Sequence, residues 1–322
     1  MRSGVHMGLQ LGSRTAWPPA SSELRLALRG VLSESYYSSA LYLSSVAANS
    51  APSASTTITG RDTDSLPGQL NFAIRNLTEA EQTLVMDPDA LPALDFLRLQ
   101  YVPPPPLHLV ITAASLDKYD TIFKSLLRLS RTLFVISHLS RQYADPTARK
   151  FRNEAHHFVT TYTNFVFQSG IAEHWNEFDG FVSTLEKRLD EEDKAGELGT
   201  RVTEGVSTLR DAHDKCLDSI MFSLLLRRRQ RKVVALVDEI FEFVLAFAKL
   251  QRGDVKRGFE ENGESATVEE LYAKLKGKIR VFLSVCRGLT GKKGYGRKGT
   301  TEENSIERLV VAMEMNRYFA GS

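Results

Sequence analysis

Pro103-Pro-Pro-Pro106-Leu-His-Leu-Val-Ile-Thr112-Ala-Ala-Ser-Leu116-Asp-Lys-Tyr119-Asp-Thr-Ile122-Phe-Lys-Ser-Leu-Leu-Arg-Leu-Ser-Arg131 is the stretch on which the fold turns. Four consecutive prolines fix φ and remove backbone donors, so the entry is extended and non-helical. Leu107, Leu109 and Ile111 alternate as in a short half-buried strand. Thr112 or Ser115 can cap a helix, because a short side-chain oxygen accepts from the free N–H groups of a first turn. From Leu116 the apolar spacing becomes helical, through Tyr119, Ile122, Phe123, Leu126 and Leu127.

Downstream the pattern is helix after helix. The first runs from about 113 to 141. Asp145 then serves as N-cap, with Pro146 at the first helical position. The next stripe is Phe151, Ala155, Phe158, Tyr162 and Phe165, and Gly170 interrupts or kinks it. Ile171, Trp175, Phe178, Val182, Leu185 and Leu189 recur in alternating steps of four and three, a heptad-like face. An acidic loop at 190–200 precedes the stripe Val206, Leu209, His213, Cys216, Leu217, Ile220 and Leu224. His213 reads as a hydrogen-bonded core histidine. Val233 to Leu250 carries apolar residues around much of its circumference, which predicts a central helix. After a charged loop at 252–266 comes a helix with Val268, Leu271, Leu275, Ile279, Phe282 and Cys286. After a Gly/Lys loop the last helix uses Ile306, Leu309, Val310 and Met313. The expected class is all-α: an antiparallel helical bundle with a small irregular, short-strand N-terminal region.

Upstream, residues 1–20 have no clear period. Ser21 or Ser22 can cap a helix with Leu24, Leu28, Val31 and Leu32. Residues 48–68 are Ser-, Thr-, Ala- and Pro-rich and read as a mobile linker or insertion. Leu70, Phe72 and Ile74 alternate like a strand, and 77–86 and 90–97 like short helices. Leu97, Leu99 and Tyr101 are expected to pair with Leu107, Leu109 and Ile111 as a hairpin across the prolines. The organisation expected is 1–68, a helix plus flexible linker, and 69–322, a helical domain.

Of the 322 residues, 42% are hydrophobic and 25% charged, with a formal net charge of +2. That is globular, and it gives no reason to expect nucleic acid as a partner. Cys216 and Cys286 sit on apolar helical faces and read as reduced core thiols. The N-terminal residues carry no long apolar run, so no signal peptide is expected. Val233–Leu250 contains Asp238, Glu239 and Glu242, so it reads as a core helix and no membrane insertion is expected. The expected compartment is cytosolic or nuclear.

Three motifs invite chemistry and do not hold it. Gly294-Tyr-Gly296-Arg-Lys-Gly299 matches the dinucleotide fingerprint literally, but that motif needs a strand before it within a βαβ unit. Here a helix precedes it, so it reads as a basic loop. Glu154-Ala-His156-His157 has di-iron spacing without the second copy and extra glutamates such a bundle needs. Arg227-Arg-Arg-Gln-Arg-Lys232 could be a nuclear signal or phosphate patch, but reads as solvated charge in a tight turn. Asn76-Leu-Thr78 is a glycosylation sequon in pattern only. The histidines scatter without a nucleophile partner. No catalytic, cofactor-binding or metal residue is expected, and no enzyme.

Residue chemistry alone ends at a helical scaffold or interaction module with some protein partner. Four segments say more. Tyr101-Val-Pro-Pro-Pro-Pro-Leu-His-Leu-Val-Ile-Thr112, followed by Leu116-Asp-Lys-Tyr119 and Ile122-Phe-Lys-Ser-Leu-Leu-Arg128, resembles the pattern of gamma-tubulin complex components. So do Phe151-Arg152 through His157-Phe158-Val159 to Ile171-Ala-Glu-His-Trp175-Asn-Glu-Phe178, then Leu209-Arg-Asp-Ala-His213 through Leu217 to Ile220, then Met315-Asn316-Arg317-Tyr318-Phe319. The four follow the family's order. Pro105 stands where the family usually has Trp, and the helix around 22–46 lacks its Leu-Leu-Leu-x-Gly-Asp run.

The resemblance implies a C-terminal portion without the family's lateral-contact domain. It points to a divergent, fungal-type fifth- or sixth-type component. It further implies binding of gamma-tubulin and association with other gamma-tubulin complex components. The role implied is microtubule nucleation at a microtubule-organising centre or spindle pole. The expected gamma-tubulin face includes Arg152, His156, His157, Glu173, Asn316 and Arg317, with Trp175, Phe178 and Phe158 packed beneath.

Overall fold

The computed structural model describes residues 69–196, 204–252, 267–289, 301–315 and 319. By contact the chain divides into two units. One comprises residues up to Pro88 with Phe96–His108, the other Asp89–Asp95 with Leu109 onward. The expected N-terminal helix, the 48–68 linker and the glycine loop at 294–299 lie outside the described residues.

In the first unit, strand β1 (Gln69–Ile74) pairs antiparallel with β2 (Leu97–Val102), with Leu70 opposite Tyr101 and Phe72 opposite Leu99. Between them runs helix α1 (Glu79–Met86), started by a capping box. There Glu81 N donates to Thr78 Oγ1 at 3.4 Å while Thr78 N donates to Glu81 Oε2 at 2.9 Å, satisfying two end donors reciprocally. The Thr of the sequon is thus a helix cap. The hairpin expected across the prolines does not form. β2 takes β1 as its partner, and Leu107–Leu109 is a single 3-10 turn. Prolines 103–106 supply no N–H to a ladder, so the strand ends at Val102.

The second unit is the bundle. Its helices are α2 (Ala113–His138), α3 (Pro146–Asn164), α4 (Glu173–Ala195), α5 (Val206–Ser223), α6 (Arg231–Gln251), α7 (Val268–Leu289) and α8 (Thr301–Glu314). Thr112 caps α2, accepting from Ser115 N at 3.3 Å. Asp145 caps α3, accepting from Thr147 N and Ala148 N at 2.9 and 3.0 Å, and Pro146 takes the first helical position. A 3-10 turn at Leu91–Leu94 packs against α2 and α6.

The hub is α3, not α6. Helix α3 packs against α2, α7 and α8 and runs directly into the π-helical segment that follows. Phe151, Ala155, Phe158 and Val159 are fully buried. Phe151 stacks on Phe247 of α6, centroids 4.2 Å apart, and Phe158 and Tyr162 meet Phe282 of α7 edge-on. Helix α6, expected at the centre, keeps Ala235, Glu242 and Ala246 exposed.

Polar ties fix the helices. Arg128 on α2 donates from Nε to Asp95 at 3.1 Å and from Nη1 to Asp238 on α6 at 2.6 Å. Lys124 adds an ion pair to the buried Asp95 at 3.1 Å. Between α2 and α5, Ser115 Oγ donates to Asp214 at 2.9 Å, and Tyr119 Oη lies 2.9 Å from His213 Nε2. His213 is therefore the buried, hydrogen-bonded histidine the spacing predicts. The basic run forms the tight turn from α5 to α6. Leu225 is buried at φ 63°, a left-handed conformation costly for a branched residue. Buried Gln230 donates to Phe222 O at 3.2 Å, and Arg227 lies over the Phe222 ring at 4.9 Å.

Candidate functional site

Four of the six residues expected to face a partner occupy one continuous helical path, at two stations. Arg152, His156 and His157 lie on α3, spaced one turn apart or adjacent. Glu173 opens α4. Between them, Phe165–Ala172 is π-helical, with Gly170 buried inside. A Cβ on Gly170 would stand 2.7 Å from Leu224 Cδ1, so glycine here permits the close approach of α5. Sixteen residues separate His157 from Glu173, roughly 24 Å along a helix. The structure does not gather them into one patch. Asn316 and Arg317 lie outside the described residues.

At the first station Arg152 is buried, only 7% exposed. Its Nη1 reaches Asn153 Oδ1 at a long 3.4 Å, and its Nε has no hydrogen-bond partner. His156 is half-buried. Its pKa is lowered, first by burial and then by the charges of Arg152, Arg141 and His157. The half-buried His157 ring lies 5.7 Å from that of Phe319. Glu154, between them in sequence, turns away and accepts from Tyr272 Oη of α7 at 2.7 Å. This pair ties α3 to α7. Among the described residues no group of three or more His, Cys, Asp and Glu is placed to hold a metal ion.

At the second station Glu173 takes a forked contact from Arg308 of α8, at 2.9 and 3.2 Å. Sequence reasoning missed Arg308, a lone cation between Ile306 and Leu309, and only the fold brings it to α4. Trp175, expected in the core, is 40% exposed and leans on Phe178 with centroids 5.8 Å apart. Helix α4 packs against α5 and the π segment, so much of its heptad-like face is half open. A groove of about 400 Å³ runs between α4 and α5, lined by His174, Phe178, Phe181, Lys215, Cys216 and Ser219.

A helical bundle preceded in sequence by a short strand pair defines an all-α domain. The family model described as gamma tubulin complex component C-terminal matches residues 6–319. The chain belongs to the gamma-tubulin complex component family. It is 26% identical over 191 residues to gamma-tubulin complex component 6 of Mus musculus, covering 55% of this chain and 10% of that protein. Against gamma-tubulin complex component 6 of Homo sapiens it is 25% identical over 191 residues, covering 55% and 9%. The match spans about a tenth of the length of these relatives.

Proposed function

We propose that the chain is a gamma-tubulin-binding subunit of a gamma-tubulin complex, contributing to microtubule nucleation as a binding and structural element rather than a catalyst. The carrying observation is the family match over residues 6–319. Its partners on this reading are gamma-tubulin and other gamma-tubulin complex components, and its place is the cytoskeleton at a microtubule-organising centre or spindle pole. No helix among the described residues is long and apolar enough to cross a membrane. The relatives favour the sixth type over the fifth.

Within this reading, residues 69–322 carry the helical domain, and its contact surface runs along α3 and α4. The residues assigned to contact are Arg152, His156, His157, Glu173, Asn316 and Arg317. The test is a pull-down of soluble gamma-tubulin by the full chain, with folding followed by circular dichroism. Association is expected. A folded chain that captures no gamma-tubulin would sink the proposal.

A further inference from the structure

We propose that the Arg152 guanidinium is a preformed receptor for a carboxylate, an aspartate or glutamate side chain supplied by the bound partner. The proposal rests on the reading that the partner is gamma-tubulin. A buried cation is normally neutralised by an acid, because the cost of removing it from water is large. Arg152 is 7% exposed, and among the described residues its only hydrogen bond goes to a neutral amide at 3.4 Å. Among the described residues no acid pairs with it. The nearest acids in sequence are engaged elsewhere. Asp145 caps α3 through Thr147 N and Ala148 N. Glu154 accepts from Tyr272 on α7.

Helical geometry keeps Arg152 and Glu154 apart. Residues two apart do not share a face. The Nε of one and the Oε2 of the other are both buried without a hydrogen-bond partner, on the same helix. The surroundings of Arg152 reinforce its sign. Each of the charged neighbours that shifts His156 (Arg152, Arg141 and His157) is basic. Tyr143, half-buried, also feels the charge of Arg152. Arg152 is thus a desolvated positive centre that no acid among the described residues answers. Guanidinium suits a carboxylate because its N–H groups form a planar fork.

The experiment compares the full chain with Arg152→Met and Arg152→Gln, measuring Tm without partner and Kd for purified gamma-tubulin. A receptor arginine predicts an unusual split. Arg152→Met leaves Tm unchanged or higher, since an uncompensated charge is gone, while Kd weakens at least about tenfold. The dependence of Kd on salt also becomes shallower. A lower Tm with unchanged Kd would make the residue structural and overturn the proposal. If Arg152→Met fails to fold, Arg152→Gln decides: weaker binding by a folded chain supports the proposal and retained binding overturns it. Inorganic phosphate raising the Tm of the unaltered chain but not of Arg152→Met, with Kd unaffected by the substitution, would assign the site to a free anion instead. Absence of binding by the unaltered chain overturns the gamma-tubulin reading and this proposal together, and is distinguishable because it does not depend on Arg152.

Discussion

Arg152 and Phe158 lie six residues apart on one helix and show what a single position can and cannot reveal. Phe158 is fully buried against Phe282. Phe158→Ala should cost about 3–5 kcal/mol, read by urea denaturation. Its burial was legible from apolar spacing alone. Arg152 was legible only through family resemblance, as a polar flanking residue. That it is buried was not, because periodicity infers burial from apolar residues and is blind to a charge inside the core. Trp175 fails in the opposite direction: its spacing fits the heptad-like stripe, but its helix has too few neighbours to cover it. Asp145 is a simpler case, since its carboxylate satisfies two end donors of α3. Asp145→Ala should lower stability by about 1 kcal/mol on the same measurement, with secondary structure otherwise retained.

The element that most shapes the candidate surface is the π-helical segment between α3 and α4. Sequence reasoning placed a break at Gly170 but could not tell a kink from a change of helical pitch, since both need a small residue. The distinction matters for phase. Removing Ser169 while the wide turns persist would rotate α4 by one residue's step, about 100° in an α-helix, relative to α3. Glu173 would then leave Arg308. The deletion is expected to lower Tm and to abolish any effect of Arg308→Ala, a comparison that separates loss of this contact from general damage. The Asp95–Arg128–Asp238 tie works between elements in the same way. Burial opposes the Arg128 charge, yet hydrogen bonds and attraction from Asp95 and Asp238 outweigh it and hold its pKa above the usual value. Arg128→Met strands Asp238 and leaves the buried Asp95 with Lys124 alone, and should cost about 3 kcal/mol in urea denaturation. Helix existence was readable along most of the bundle because 3.6-residue spacing is local. Which helix is the hub was not, since α3 mixes Arg152 and Thr163 into its buried face and so looks more polar than α6.

For the bundle as a whole, acid sensitivity follows from its buried histidines. His213 has its pKa lowered by burial first, partly offset by Asp214 and reinforced by Lys118, and His156 is lowered likewise. A depressed folded-state pKa means the unfolded chain takes the proton first. The stability these groups contribute is complete above about pH 6.5 and is lost as pH falls through their folded values. Asp238, raised chiefly by burial, acts in the opposite sense at lower pH. Urea midpoints from pH 8 to 5 are therefore expected to fall, with a shallower slope in His213→Gln. The two cysteines give the bundle an internal clock. Cys216 on α5 and Cys286 on α7 are unbridged, buried, and pushed up to about 11 and about 12 by burial. Neither offers much thiolate at pH 8, so alkylation must wait for the helices to part. Cys216 lines the α4–α5 groove, whereas Cys286 is fully enclosed. Labelling rates followed by mass spectrometry should thus rank Cys216 ahead of Cys286. The interval between them measures how much sooner the edge of the bundle breathes than its centre.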